Sequence, residues 1–233
     1  MKPIELAQWP PLGVDWYYAD KSVCIAHGDC REIVPTLGTF DLLLTDPPYG
    51  MSYSSNWRAK HQQLGGVAGD DEFPSYVFDW QGTVATMIFC RWDNLKDLPP
   101  PKSFIVWDKG CHSMGDLHHE FGRQWEGCAF YAGENHKFTR RPVDVIRVPR
   151  VVPSALVHPT EKPVSLFTTL IACHECTTIL DPFAGSCTTA RAAKDLERKC
   201  VCIEREEKYC EIGAERMRQE VFDFGACSDE KRA

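Results

Sequence analysis

Four short, almost wholly apolar runs constrain this chain more than any other feature: Val23 to Ala26, Phe40 to Leu44, Phe104 to Trp107 and Thr178 to Leu180. Each is too short for a helix and lacks the alternation of a strand with one wet face, so each reads as a strand buried on both faces. A fifth run, Val201 to Ile203, has the same character. Such strands need helices packed over them, and helical signals fall in between. Thr160 can cap a helix with Pro163 in its first turn, where a missing N–H costs nothing. Leu166, Phe167, Leu170 and Ile171 then share one face. Ser186 or Thr188 can start a second helix reaching Leu196, and Glu206 to Val221 reads as a third. Within Pro74 to Leu95 the residues Trp80, Val84, Met87, Ile88 and Trp92 recur at helical spacing, which predicts a fourth. Cys128 to Tyr131 and Val143 to Val148 are expected to add antiparallel strands at one edge. The pattern is an α/β fold, a mostly parallel sheet with helices on both faces.

A chain of 233 residues without internal repeats is expected to form one domain over 1–233. No apolar run approaches the ~18–20 residues of a membrane helix. The start, MKPIELAQWPPLGVDW, has neither an apolar core nor a small-residue cleavage site, so a cytoplasmic protein is expected. Twelve cysteines then read as reduced thiols rather than a disulfide framework. Cys173-His174-Glu175-Cys176, with Cys200 and Cys202 nearby, has the spacing of half a zinc site, but the second C-x-x-C pair is missing. His112, His118 and His119 with Glu120 read as solvated histidines, and no metal is expected.

The net charge of −7 argues against a chain basic overall, so any nucleic-acid surface must be a local patch. Lys137, Arg140, Arg141, Arg147 and Arg150 fall within fourteen residues that hold one acid, Asp144. The stretch of about 133–157 is a candidate recognition insert. Between about 50 and 73 the chain has no periodicity, and loops this long are often functional. There Asn56, Trp57 and Arg58 offer polar, stacking and cationic groups suited to nucleic acid.

Two motifs carry chemistry. Thr45-Asp46-Pro47-Pro48-Tyr49-Gly50 follows the second apolar strand directly, at the sheet edge where open α/β folds bind ligands. Two prolines remove backbone donors and leave carbonyl acceptors beside a carboxylate, and an aromatic ring follows. Such a group can accept hydrogen bonds from an –NH₂ while the ring stacks on its heterocycle. Asp181-Pro182-Phe183-Ala184-Gly185-Ser186-Cys187-Thr188-Thr189 lies between a strand and a helix. Gly185 permits a tight turn and close ligand approach. Glu204, nineteen residues later at the end of the next strand, can accept the hydroxyls of a ribose.

These residues resemble the amino-specific DNA methyltransferases of the permuted β class, in which the catalytic motif precedes the cofactor loop. Asp46, Pro47, Pro48 and Tyr49 look like the catalytic motif, 135 residues before Asp181. Phe183, Ala184, Gly185, Ser186 and Cys187, with Asp181 and Thr188, look like the FxGxG cofactor loop, although Cys187 stands where the family has glycine. If that position needs φ > 0, the cysteine costs roughly 1 kcal/mol or more. His158-Pro159-Thr160-Glu161-Lys162-Pro163 resembles the segment that walls the cofactor site through His158, Thr160 and Lys162. Gly28-Asp29 resembles the contact to the cofactor's adenine end, and Trp107-Asp108-Lys109 a further family element.

The resemblance implies a Rossmann-like fold, S-adenosylmethionine as cofactor and double-stranded DNA as partner. It also implies methyl transfer to adenine N6, since Asp rather than Ser at position 46 favours adenine. Asp46 would serve cofactor and amino group alike, the target base would be flipped out, and Lys137, Arg140 and Arg141 would contact DNA. Pairing with a second copy or another subunit is plausible by resemblance. Cytosine N4 or RNA as substrate, and an inactive DNA-binding subunit, remain the alternatives.

Overall fold

The structure is a computed structural model that describes residues 8–50, 70–80, 83–111, 118, 121–133, 135–151 and 161–219. Within these the chain runs β1 (Tyr18–Ala19), β2 (Val23–His27), α1 (Cys30–Ile33), β3 (Phe40–Thr45), β4 (Thr83–Cys90), β5 (Ser103–Asp108) and β6 (Trp125–Ala132). It continues through β7 (Val145–Arg147), α2 (Val164–Ala172), β8 (Thr178–Asp181), α3 (Thr188–Asp195), β9 (Lys199–Glu204) and α4 (Glu207–Arg218). The strands join one sheet in the order β1-β2-β9-β8-β3-β4-β6-β5-β7. Five neighbouring pairs are parallel and three, β1–β2, β4–β6 and β6–β5, are antiparallel. This is the mostly parallel, Rossmann-like sheet expected from the apolar runs.

All five short runs are strands, because most of the apolar side chains in them find cover on one face of the sheet or the other. Val23, Ile25, Leu42, Leu44, Ile179 and Cys202 face a core built with α2, α3 and α4. Cys24, Ala26, Leu43, Leu180 and Val201 face the opposite core, covered by α1, the 3₁₀ turns at 34–36 and 75–79, and Trp9 and Trp16. The cover is unequal: three longer helices close one face, short turns and aromatic rings the other.

Three expectations are corrected. The segment Pro74 to Leu95 is not a helix. It holds a 3₁₀ turn at Ser75–Asp79, strand β4, and a 3₁₀ turn at Trp92–Asp97. Ala85, Met87 and Phe89 alternate with Ile88 and Cys90 between the two cores, so period two governs and the helical spacing was coincidental. Trp92 is 62 % exposed. The run at 143–148 does form an edge strand, but β7 pairs parallel to β5, on the edge of β5 that β6 leaves open. Pro163 caps α2 from outside it, at φ −65° and ψ 138°, and does not sit in its first turn. Thr160 lies outside the described residues.

Strands β3 and β8 are locked at their starts. One carboxylate oxygen of Asp41 accepts from the backbone N–H groups of Thr177 (2.7 Å) and Thr178 (2.9 Å) and from both hydroxyls. Partial burial opposes ionisation, but these donors hold the Asp41 carboxyl below its ordinary value. The register Leu42↔Ile179 and Leu43↔Leu180 follows. Farther along, Phe138 bridges His174, and the His136 and His174 rings meet at 2.8 Å, which fastens the basic stretch to the end of α2. Among the described residues no helix is long and apolar enough to cross a membrane, and the cysteines are free thiols.

Candidate active site

Because β3 and β8 are adjacent and parallel, they deliver Asp46 and Asp181 to one sheet edge despite their distance in sequence. The two carboxylates line a shared cleft with Glu161, Lys162, Phe167, Phe183, Ala184, Gly185, Ser186, Thr188 and Thr189. The space between these side chains, open solvent included, is about 350 Å³.

Asp181 is 3 % exposed. It accepts from the Thr45 hydroxyl (2.7 Å), the Phe183 N–H (3.2 Å) and the Thr189 hydroxyl. Burial nevertheless raises its carboxyl to about 6. The loop after it is held by Ala184 N–H donating to the Ile203 carbonyl (3.0 Å) and Cys187 N–H donating to the Ala184 carbonyl (2.7 Å). Gly185 takes φ 49° and gives its N–H to Glu204 Oε2 at 2.8 Å. Glu204 Oε1 accepts the Glu206 N–H at 2.8 Å. Each oxygen keeps a lone pair, so the carboxylate both fixes the loop and can accept further hydroxyl donors. Burial raises the Glu204 carboxyl above its ordinary value.

Cys187 does adopt the left-handed conformation, φ 59° and ψ 41°, and is the N-cap of α3. The helix starts at Thr188, one of the two positions expected. The Cys187 side chain is fully buried and does not line the cleft. Its sulfur packs against Gly213 of α4, where an added Cβ would lie 3.0 Å from Cys187 Cβ and closer still to the sulfur. Asp29 lies beyond the cleft at the end of β2. It caps α1 by accepting the Arg31 N–H at 2.9 Å and pairs with the Arg31 guanidinium. Hydrogen bonds and charge from Arg31 hold its carboxyl at about 2. Gly28 beside it donates its N–H to the Glu204 carbonyl.

At the other end of the cleft Asp46 has both oxygens engaged. Tyr49 donates its hydroxyl to Oδ1 at 2.7 Å, and Lys162 ion-pairs with Oδ2. Lys162 is 4 % exposed in its side chain and also lies 3.2 Å from Glu126 Oε2. Its ammonium sits over the rings of Phe89 (4.8 Å) and Tyr49 (5.5 Å). Asn94, after β4, donates its side-chain amide to the Tyr49 carbonyl at 3.0 Å. Gly50 gives its N–H to Asp70 at 2.8 Å. The Asp46–Tyr49 turn is thereby held from three sides. Pro47 is buried and Pro48 half-buried.

Sequence reasoning placed Asp46, Lys162, Asp181, Phe183, Ala184, Gly185, Ser186 and Thr188, which the structure brings together. It quoted Thr45 and Thr189 within the two motifs without giving either a role of its own, and it missed Glu126, Asn94 and Arg216. Arg216 pairs with Glu161 and donates to the Ser186 carbonyl at 3.0 Å, tying α4 to the loop. A lone acid at the start of an apolar strand, as at Glu126, gives no periodic signal. Lys137, Arg140 and Arg141 are exposed, whereas Arg147 is paired with Asp108. His158 and Thr160, with Asn56, Trp57 and Arg58, lie outside the described residues.

Comparison with known proteins agrees with this geometry. The N6/N4 methylase family model, described as DNA methylase, matches residues 100–215. The type II methyltransferase M.ScaI of Streptomyces caespitosus is 24% identical, over 88% of this chain and 84% of its own length. The putative methylase YubD of Escherichia coli K12 is 28% identical, over 88% of this chain and 95% of its own. Among solved structures, the complex of M1.HpyAVI with SAM has a TM-score of 0.63 at 22% identity, covering 84% of this chain and 100% of that one. The cytosine-N4-specific PvuII DNA methyltransferase has a TM-score of 0.67 at 12% identity, covering 89% and 90%. These two likenesses establish the fold. With a family match over residues 100–215 and relatives aligned over 88% of the chain, this protein is similar to the N6-adenine/N4-cytosine DNA methylases.

Proposed function

We propose that the protein transfers a methyl group from S-adenosylmethionine to the N6 amino group of adenine in DNA. The observation that carries the proposal is the shared cleft: the Asp46 acceptor stands at one end and the Gly185 loop, braced by Glu204, at the other. S-adenosylmethionine supplies an electrophilic methyl on a sulfonium. Glu204, with spare lone pairs at the end of β9, suits ribose hydroxyls. The turn at Gly185 allows close approach of the ligand to backbone. Asp181 and Lys162 complete that wall. SAM in the M1.HpyAVI complex and in the Thermus thermophilus TTHA0409 complex supports this choice of cofactor.

Asp46 and the carbonyls freed by Pro47 and Pro48 accept hydrogen bonds from the exocyclic amine and aim its lone pair. They also stabilise the positive charge that grows on that nitrogen in the transition state. Tyr49 offers its ring to a base turned out of the duplex, at a cost of a few kcal/mol. None of this requires a covalent enzyme intermediate. The exposed Lys137, Arg140 and Arg141 face DNA in this reading, with Asn56, Trp57 and Arg58 from the 50–73 loop. Residues 1–233 act as one methyltransferase domain, about 133–157 serves as recognition insert, and a second copy or subunit completes target recognition.

The test is methyl transfer from labelled S-adenosylmethionine to unmethylated DNA, followed by nucleoside analysis. N6-methyladenine is expected. N4-methylcytosine would keep the fold and the cleft chemistry but overturn the choice of base. The cytosine specificity of the PvuII enzyme makes that the second reading. Absence of transfer, with cofactor bound, would overturn the DNA reaction itself.

A further inference from the structure

The acceptor site of Asp46 is already filled by donors of its own chain. Tyr49 occupies Oδ1 and the Lys162 ammonium Oδ2. An ammonium on that carboxylate cancels the negative charge that an incoming amine needs and opposes the positive charge that methylation builds on nitrogen. Both donors have a second acceptor within reach. Glu126 Oε2 on β6 lies 3.2 Å from Lys162 Nζ and 3.4 Å from the Tyr49 hydroxyl. Its other oxygen is held by Lys109 Nζ at 3.0 Å. Lys162 Nζ also touches the Tyr49 hydroxyl at 3.1 Å, so the two donors are linked.

We propose that Glu126 is a positioning residue of the methyl-transfer site: it receives the Lys162 ammonium and the Tyr49 hydroxyl when a substrate amino group takes their places on Asp46. Lys162 is then a resident stand-in for the substrate nitrogen. It keeps the buried carboxylate compensated in the free enzyme and moves a short distance, without leaving the network, as the base arrives. Lys109 keeps Glu126 in place throughout. Charges support the assignment. Burial opposes ionisation of Glu126, but Lys162 and Lys109 hold its carboxyl well below the usual range. Burial pushes the Asp46 carboxyl up; Lys162 counters this, and the Glu126 charge adds to it. Lys162 stays protonated, since its two carboxylate partners outweigh burial.

The inference rests on the proposed amino-methylation, and the experiment separates the two. Methyl transfer to unmethylated DNA is measured against pH for the wild type, Glu126→Gln, Lys162→Gln and the double variant, with S-adenosylmethionine binding followed by calorimetry. Glu126→Gln leaves Lys162 with Asp46 alone, so kcat is expected to fall at least about ten-fold while cofactor affinity stays within about two-fold. The acid limb of its kcat profile should move to lower pH, because Asp46 loses a like-charged neighbour. In the Lys162→Gln background the same change should cost less than about two-fold. If Glu126→Gln fails to fold, the charge-balanced pair Lys109→Met with Glu126→Gln is read in the same way. Unchanged kcat with an unmoved acid limb would overturn the inference and leave the reaction standing. So would a ten-fold loss that persists without Lys162. If the wild type transfers no methyl, the reaction and this inference fall together.

Discussion

Replacing Gly213 by alanine tests how the cofactor loop is built. Gly213 lies inside α4, where alanine normally improves helix stability by about 1 kcal/mol. Here the new Cβ would meet the Cys187 sulfur well inside van der Waals contact, 3.0 Å from Cys187 Cβ and 3.3 Å from Ile25 Cδ1. Cys187 is fully buried and short, and its backbone is pinned in the left-handed region, so it has nowhere to retreat. Overpacking of this kind costs about 1–3 kcal/mol. The net expectation for Gly213→Ala is a loss of about 1 kcal/mol. In a Cys187→Gly background the clash disappears, and the same substitution should gain about 1 kcal/mol. The coupling between the two sites is therefore about 2 kcal/mol, readable from urea denaturation of the four proteins by circular dichroism. Cys187→Gly alone should be nearly neutral, because relief of left-handed strain offsets the lost thiol packing. Additive effects, with coupling under about 0.5 kcal/mol, would refute the view that Cys187 and Gly213 are a matched pair.

Three further outcomes follow from the site. Asp46→Ala should lower kcat by at least about 100-fold yet retain S-adenosylmethionine binding by calorimetry; full activity would remove Asp46 from the reaction. Asp181→Asn tests the carboxyl raised from 3.8 to about 6. Between those values the unfolded chain ionises the group while the folded chain keeps its proton, so wild-type stability falls as pH rises through that window. The variant should therefore gain on the wild type by about 3 kcal/mol between pH 4 and 7, and a pH-independent difference would contradict this. Asn94→Ala removes the donor to the Tyr49 carbonyl and the acceptor for the Arg91 N–H. It should cost about 1–3 kcal/mol of stability and lower kcat more than cofactor affinity; unchanged melting and turnover would show that the Tyr49 turn holds without it.

The strands were legible because burial on both faces writes itself as an unbroken apolar run, as in Val23 to Ala26. Both motifs that follow strands were legible because proline fixes the backbone and glycine admits turns that other residues rarely adopt. β4 was not. Its residues satisfy period two and a helical spacing at once, and only the neighbours β3 and β6 decide between them. The parallel sense of β7 was hidden for a similar reason, since it depends on the path the chain takes from β6 round to the open edge of β5. Glu126 could not be read because its partners, Lys162 and Lys109, are distant or unremarkable in sequence and meet it only through the sheet order. The left-handed turn at Cys187 was anticipated from the glycine it replaces. Its accommodation by Gly213 needed the packing of α4.

The Asp41 clamp bears on evolution as much as on geometry. One carboxylate aligns the starts of β3 and β8, and strands of six and four residues then carry Asp46 and Asp181 to the same rim. Nothing in that alignment depends on which strand is translated first. A gene could exchange the order of the two segments, rejoin them by different loops, and still assemble the same cleft, provided both strands began at the clamp. Motif order is then a record of ancestry, while strand adjacency is what the chemistry requires.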